Sequence, residues 1–258
     1  MALTRGNAAK LYCLRALDTL ARERSELRIV DLGAGTAANA VALLRAHPHV
    51  RYVAVEPDEA ACRAAERNLA GLAAEVVRAQ AYDVEVGPAD AVVSFSVLEH
   101  VYDRDAYFRC IARHLGPGAR AWMNYDSGHF TRPGARDRVK TALGPVFARL
   151  GQEQWFQAFV RESELRKLAA TAGLEIAEAK SFNTDLKLLY RLVPEERQEA
   201  FTERWLELEL AANELLPTYE DAHARYFMTR NVVLRRVGDP GFEPGTSALS
   251  ERRSNQLS

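Results

Sequence analysis

Two acidic residues and a glycine-spaced turn are the part of this sequence best suited to chemistry. An apolar run that begins at Ile29 ends on Asp31, and a second apolar run, residues 52–55, ends on Glu56. The turn after Asp31 is formed by Leu32, Gly33, Ala34, Gly35 and Thr36. Glycines let the backbone approach a ligand where a Cβ would collide, and a carboxylate such as Glu56 can accept hydrogen bonds from both hydroxyls of a ribose. The pattern predicts a nucleoside-binding crevice at the carboxyl ends of two parallel strands.

The glycine spacing by itself fits more than one nucleotide. It suits NAD, FAD or S-adenosylmethionine, but Ala38 replaces the third glycine of the dinucleotide fingerprint. Asp31 lies where a carboxylate can meet the ammonium group of a ligand, directly or through water. This acid favours S-adenosylmethionine as the ligand.

The segment after the fifth predicted strand holds the candidate catalytic groups. Asp126 or His129 could deprotonate a hydroxyl or an amine, because histidine titrates near neutral pH. Tyr125 and Phe130 could form the wall of a pocket for a planar substrate. His100, which follows the fourth predicted strand, is a second candidate base.

Bulk composition narrows the class of protein. With 258 residues, of which 48% are hydrophobic, the chain can bury a sizeable core, as a soluble globular enzyme does. The formal net charge of −1 gives no global attraction to nucleic acids or membranes. Cys13, Cys62 and Cys110 lack metal-type spacing, so we expect no metal site and free buried thiols in a reducing cytoplasm. The sequence shows no signal-peptide pattern and no apolar run of about 18 residues, so no membrane partner is expected.

The elements that must position these residues alternate regularly at first. A helix is predicted over residues 8–22, and strands over residues 28–31, 52–56, 76–79, 91–96 and 119–125, with helices between them that include residues 57–69, opened by Pro57, and 105–115. This alternation predicts an α/β fold with a doubly wound, mostly parallel sheet and helices on both faces.

The second half of the chain is less regular. Residues 126–160 read as irregular, with Trp155, Phe156 and Phe159 expected to pack this segment on the sheet, although one of them could line the substrate pocket instead. A helix over residues 162–172, a strand over 174–182, a long helix over 194–216 and a last strand over 226–234 follow. The two interruptions of the alternation, residues 126–160 and 183–225, have room for a substrate cap, and we predict one domain over residues 1–237. The Gly-, Pro- and Ser-rich tail, residues 238–258, is predicted to be a disordered, non-functional extension.

Residues 28–125 resemble the core of class I S-adenosylmethionine-dependent methyltransferases. Residues 31–36 match the first motif of that family, Glu56 and Pro57 match its ribose-binding acid, residues 97–101 match the segment after the fourth strand, and residues 115–119 match the turn before the fifth. The resemblance implies a seven-stranded sheet whose last strand is antiparallel, a small helical cap and S-adenosylmethionine as cofactor. It also places Ser94, Ser96 and Glu99 beside the cofactor.

One motif departs from the family pattern. Many members carry Asp-Ala after the third strand, with the Asp on the adenine amine, whereas this chain has Gln80-Ala81 followed by Tyr82-Asp83. Either Gln80 or Asp83 could take that role. The family's signatures for methylation of adenine amines and cytosine carbons are absent from the sequence, so nucleic acid bases are not expected as substrates.

The methyl acceptor itself is not specified by the sequence. We expect an oxygen or nitrogen of a small molecule, with methyltransfer to a protein or a transfer RNA, or a catalytically silent cofactor-binding protein, as alternatives. A basic cluster could clamp a carboxylate or phosphate of the substrate, or could simply be a solvated helix face. Its members are Arg132, Arg136, Arg138 and Lys140. The oligomeric state stays open.

Overall fold

Seven strands form one sheet with the order β3-β2-β1-β4-β5-β7-β6. In this computed structural model, the described residues are 3–4, 6–183, 185–215 and 219–239, with only the backbone at His129. The strands are β1 (Leu27–Leu32), β2 (Val50–Val55), β3 (Ala74–Val77), β4 (Ala89–Phe95), β5 (Leu115–Asp126), β6 (Leu174–Phe182) and β7 (Thr229–Arg236). The first five strands run parallel, and β7 is antiparallel to both β5 and β6. The expected α/β fold is confirmed.

Helices cover both faces of the sheet. They are α1 (Ala8–Glu23), α2 (Val41–Ala46), α3 (Glu59–Leu69), α4 (Arg104–His114), α5 (Gly128–Thr131), α6 (Ala135–Arg149), α7 (Glu162–Thr171), α8 (Leu186–Tyr190) and α9 (Gln198–Leu215). Leu14, Leu44 and Leu69, from α1, α2 and α3, belong to the core on one face. Ile111 and Leu165, from α4 and α7, belong to the core on the other. The sheet is therefore buried on both sides, which explains its long apolar strands.

Several element boundaries differ from the sequence prediction. Helix α3 does not open at Pro57, because the Asp58 side chain accepts a hydrogen bond from the Ala61 amide at 2.8 Å and caps the helix one residue later. Helix α9 begins at Gln198 rather than residue 194, after a short 3₁₀ turn (Glu195–Arg197). Strand β7 begins at Thr229 rather than residue 226, because the 3₁₀ turn Asp221–Arg225 occupies the preceding segment and Tyr226 faces solvent.

The expectation that residues 126–160 are irregular was wrong. They contain α5 and the 15-residue helix α6, which includes Gly144 and Pro145. A Cβ on Gly144 would lie 2.9 Å from the carbonyl oxygen of Trp155, so the glycine allows a close approach of two backbone segments. Packing thus keeps two residues of poor intrinsic propensity inside a helix.

No helix among the described residues is long and apolar enough to cross a lipid bilayer.

Candidate active site

The glycine-spaced turn joins the carboxyl end of β1 to the segment before α2. The Gly33 and Ala34 amides donate hydrogen bonds to the Val55 carbonyl at 2.8 and 3.0 Å, so the turn is held against the end of β2. Gly33 has φ +81°, and a Cβ there would collide with the Val97 side chain. Gly35 has φ +56°, and a Cβ there would meet no atom within 4 Å. The turn therefore leaves open space beside Gly35.

Glu56, the residue after β2, faces this turn. Its carboxylate accepts hydrogen bonds from the Gly35 amide at 2.8 Å and from the Asp58 amide at 3.0 Å, one on each oxygen. An ionised carboxylate offers about four acceptor positions. Two of them are used by the backbone, so Glu56 can still accept from a ligand hydroxyl while it holds the glycine turn in place.

Asp31 is almost fully buried, with 5% of its surface exposed. The Tyr52 hydroxyl donates a hydrogen bond to its Oδ2, while its Oδ1 has no hydrogen-bond partner among the described residues. Burial raises the pKa of Asp31 to about 7, although the Tyr52 hydrogen bond and the nearby Lys10 oppose the shift. A buried carboxylate oxygen without a donor is costly, and a cationic group of a ligand would satisfy it.

Lys10 is a charged neighbour of this site that our sequence analysis did not single out. Its ammonium lies 5.9 Å from the centre of the Phe95 ring, at the carboxyl end of β4. Burial lowers the pKa of Lys10, against the attraction of Asp31, and Lys187 lowers it further. A lysine between Ala9 and Leu11, both of which are buried, was the available sequence signal, because lysines are rarely placed on a buried helix face.

The two serines that the sequence predicts beside the cofactor, at the end of β4, differ in their exposure to solvent. The Ser94 hydroxyl is buried, donates to the Leu32 carbonyl at 2.7 Å and accepts from the Tyr107 hydroxyl at 2.5 Å. Ser96 is exposed, has φ +61° and donates to the Asn124 side chain at 3.3 Å. Of these two serines, Ser96 is therefore the one whose side chain faces solvent.

Glu99 is fully buried in the turn Leu98–His100 that follows β4. Its Oε1 accepts a hydrogen bond from the Asp126 amide at 3.1 Å, and its Oε2 has no partner among the described residues. Burial raises the pKa of Glu99 to about 8, which the backbone hydrogen bonds oppose. Glu99 thus ties the end of β4 to the end of β5 and keeps its carboxyl mostly protonated at neutral pH.

The candidates for the adenine amine lie together after β3. The Asp83 amide donates to the Gln80 carbonyl at 3.1 Å, and both side chains are exposed, while Ala81 is buried. The choice between Gln80 and Asp83 therefore stays open.

The candidate catalytic residues do not all reach the crevice. Tyr125 is buried in the core, next to Arg230, so its ring offers no surface to a substrate. Asp126 is half-buried and accepts from the Gly128 amide at 2.6 Å. The Nδ1 of His100 lies 3.3 Å from the Phe156 carbonyl oxygen. The side chain of His129 lies outside the described part of the chain.

The aromatic residues of the cap segment divide into packed and exposed ones. Phe156 packs on Tyr102 with a ring separation of 5.3 Å, and Phe159 packs on Phe130 at 5.9 Å. Trp155 instead keeps 42% of its surface exposed, so the expectation that it packs the cap on the sheet was wrong. The backbone of residues 155–157 instead lies close to Gly144.

The described residues contain no group of three His, Cys, Asp or Glu side chains able to hold a metal ion. All three cysteines are free and buried.

Comparison with known proteins identifies relatives of this chain. The sequence profile of a family described as methyltransferase domain matches residues 5–179. A TehB-like S-adenosylmethionine-dependent methyltransferase from Corynebacterium glutamicum has a similar structure, with a TM-score of 0.51, 15% identity and 86% coverage of each chain. No curated protein sequence matches the chain.

Two other similar structures differ in their stated activities. One is magnesium protoporphyrin IX methyltransferase from Synechocystis PCC 6803 with bound S-adenosylhomocysteine, with a TM-score of 0.52, 15% identity and coverage of 90% of this chain and 83% of that one. The other is the [4+2]-cyclase SpnF, with a TM-score of 0.52, 16% identity and coverage of 88% and 82%. At these identities the structures establish a shared fold.

Proposed function

The chain belongs to the class I S-adenosylmethionine-dependent methyltransferases, and we propose that it transfers a methyl group to an oxygen or nitrogen atom of a small molecule. The observation that carries the proposal is the set of groups at the carboxyl edge of the sheet. Gly35 leaves open space, Asp31 has a carboxylate oxygen without a partner in the part of the chain that the structure describes, and Glu56 has acceptor positions to spare.

These residues fit S-adenosylmethionine, the cofactor of the family. Glu56 would hold the ribose hydroxyls, and Asp31 would hold the ammonium of the methionine group. We assign the carboxylate of the same group to Lys10, because an amino acid carries both charges and Lys10 lies beside Asp31. The side chains of Gln80 and Asp83 are the candidates for the adenine amine.

The assignment of Lys10 has a direct test. Lys10→Met should weaken binding of S-adenosylhomocysteine at least tenfold and leave binding of its decarboxylated analogue unchanged, as measured by calorimetry. Equal losses for both ligands would contradict the assignment. Lys167→Met, on α7, is the matched control.

When bound, S-adenosylmethionine supplies an electrophilic methyl group whose leaving group is a neutral thioether. The chain therefore has mainly to position the acceptor and exclude water. A base is needed only where the acceptor is still protonated at the working pH. Asp126, His129 and His100 are the candidates for removing that proton.

The small-molecule acceptor is inferred from the cap, which we assign to residues 126–160 and 183–225. The Ala158 amide donates to the Glu99 carbonyl at 2.9 Å, and the Arg104 guanidinium donates to the Ala158 carbonyl at 2.6 Å. These bonds hold the cap segment against the turn after β4. A segment fixed there narrows access to the methyl-transfer position, which suits a small acceptor.

Two further inferences concern the acceptor and the location of the protein. Arg132 forms a two-bond ion pair with Asp185, at 2.6 and 3.1 Å, so it is already neutralised and is a weaker candidate for a substrate clamp. The free thiols are consistent with a cytoplasmic location.

The proposal is tested by following the methyl group. Metabolite extracts are incubated with the protein and a methyl-labelled donor, and mass spectrometry identifies the labelled product. Asp31→Asn serves as the inactive control. Label found only in protein or transfer RNA would contradict the proposal of a small-molecule acceptor. Cofactor binding without label in any fraction would indicate a catalytically silent binding protein. SpnF has a similar structure but is named a [4+2]-cyclase. Methyl transfer must therefore be detected through the labelled product, because the fold alone does not establish it.

A further inference from the structure

Helix α6 presents large apolar side chains to solvent. Val139, Leu143, Val146 and Leu150 recur at intervals of three or four residues and are 55%, 47%, 55% and 72% exposed. At about 100° per residue Val139, Leu143 and Val146 lie on one stripe of the helix, and Leu150, the residue that follows its last turn, continues this stripe. We name them the α6 stripe.

The opposite face of α6 makes the contacts with the rest of the chain. Gly144 and Ala148 are buried there, and Gly144 approaches the backbone of residues 155–157. The small residues thus face the protein and the large apolar ones face outward, which is the reverse of an ordinary surface helix. Folding of the described chain does not bury the α6 stripe, and an exposed apolar patch of this kind marks an interaction surface.

Basic side chains border the α6 stripe. On a helical projection Lys140 lies on one side and Arg138 and Arg149 lie on the other, while Arg136 extends the first turn. The single acid of the helix, Asp137, accepts from the Gly134 amide at 3.0 Å at the helix start. The helix is therefore locally cationic, although the whole chain has a formal net charge of −1.

Two aromatic rings lie next to this surface. Phe147 and Trp155 are 37% and 42% exposed, and their ring centres are 6.1 Å apart. Lys140 lies 5.8 Å from the centre of the Trp155 ring. Aromatic residues beside an apolar stripe with a basic border are typical of helices that lie in the interface of a lipid bilayer.

We propose that α6 docks the protein on an anionic lipid surface, with the α6 stripe inserted between lipid headgroups and the basic border facing their charges. Charge complementarity favours this partner over a second copy of the chain, because two copies would bring like charges together across the same surface. The proposal does not depend on the identity of the methyl acceptor. It departs from our expectation of no membrane partner, which rested on net charge and on the lack of a spanning segment.

The test uses the full chain with vesicles of phosphatidylcholine alone or mixed with phosphatidylserine. We expect co-sedimentation with the anionic vesicles only, and weaker binding as salt is raised. Trp122 and Trp205 are buried, so Trp155 should dominate the fluorescence change and be quenched by brominated lipid. Equal binding to both vesicle types, or to neither, would overturn the proposal.

Variants separate the stripe from the rest of the surface. Leu143→Glu with Val146→Glu should abolish vesicle binding, whereas Leu208→Glu, at a 61% exposed position of α9, should not. Arg138→Gln and Lys140→Gln should each weaken partitioning about fivefold. Unchanged melting temperatures would show that these exposed substitutions leave the fold intact. Concentration-dependent dimers that Leu143→Glu dissociates, without vesicle binding, would assign the surface to a second copy instead.

Discussion

Asp31 is buried, and one of its carboxylate oxygens has no partner among the described residues, so we expect its protonation to be coupled to binding of the cofactor. Because burial raises its pKa to about 7, the free protein holds a proton on Asp31 below that pH. In the folded state this proton is favoured, so Asp31 contributes stability at low pH that is lost as the pH rises from about 4 through 7. An ammonium group paired with Asp31 requires the ionised form.

We therefore predict that affinity for S-adenosylhomocysteine rises with pH. Between pH 6 and pH 8 the gain should be about tenfold, since the proton on a group of pKa about 7 must be released on binding. Calorimetry in buffers of different ionisation enthalpy would detect this proton. Asp31→Asn should remove most of this dependence, and an unchanged pH dependence in that variant would contradict the assignment of the proton to Asp31.

Glu56 accepts a hydrogen bond from the Gly35 amide in the structure, and we propose that it also binds the ribose hydroxyls. Glu56→Ala should weaken S-adenosylhomocysteine binding by at least tenfold, because each hydrogen bond to a carboxylate contributes about 1.5–3 kcal/mol. Glu59→Ala, at an exposed position of α3, is the matched control. A loss below about threefold, with the fold intact by circular dichroism, would contradict the ribose assignment.

His129 stays a predicted base, with His100 as the alternative. His129→Ala should lower the turnover number about a hundredfold for a hydroxyl acceptor and leave cofactor affinity unchanged, because the base acts on the acceptor alone. For an amine that is neutral at the assay pH the loss should be much smaller. Rates of both single variants across pH decide between the histidines, and wild-type rates in both would show that neither acts as a base.

At the scale of elements, the glycine turn between β1 and α2 is the part of the structure that we propose as the cofactor cradle. Gly35→Val should abolish cofactor binding, because the side chain fills the open space beside the turn and the positive φ is strained for valine. Gly71→Val has a similar φ of +78°, also meets no atom within 4 Å and lies after α3. Gly71→Val should lower the free energy of unfolding by a similar amount and leave cofactor binding, measured by calorimetry, unchanged. Normal binding by a folded Gly35→Val protein would show that the turn is not the cofactor cradle.

Helix α6 shows how packing overrides local composition at this scale. Glycine and proline at 144 and 145 read as helix breakers in the sequence, yet the helix continues through both. The contact between Gly144 and the Trp155 carbonyl is made by residues eleven positions apart, and composition of the segment does not reveal it. On the same helix, the apolar residues of the α6 stripe face outward.

At the scale of the whole molecule, the Gly-, Pro- and Ser-rich composition of the tail predicts that it contributes little to the folded core. The last described residue, Asp239, accepts from the Gly118 amide at 3.2 Å, and residues 240–258 lie outside the described part of the chain. Deleting residues 240–258 should leave the melting temperature and cofactor affinity unchanged. A longer deletion, which begins at Gly238, also removes the Asp239 contact and serves as the comparison. A clear fall in melting temperature with the shorter deletion would show that the tail contributes to the fold.

The sequence by itself determined the sheet and the edge of it at which the two acids lie. Buried parallel strands must be apolar throughout, and the acids at their ends, Asp31 and Glu56, fall at one edge because parallel strands share their direction. Tertiary structure alone decided which groups lack partners and which faces are covered. Contacts between residues far apart in the chain decide these features. They place Lys10 beside Asp31, leave one Asp31 oxygen without a partner among the described residues, bury Tyr125 and leave the α6 stripe exposed. Periodicity reports which side of an element is apolar, but not what that side meets.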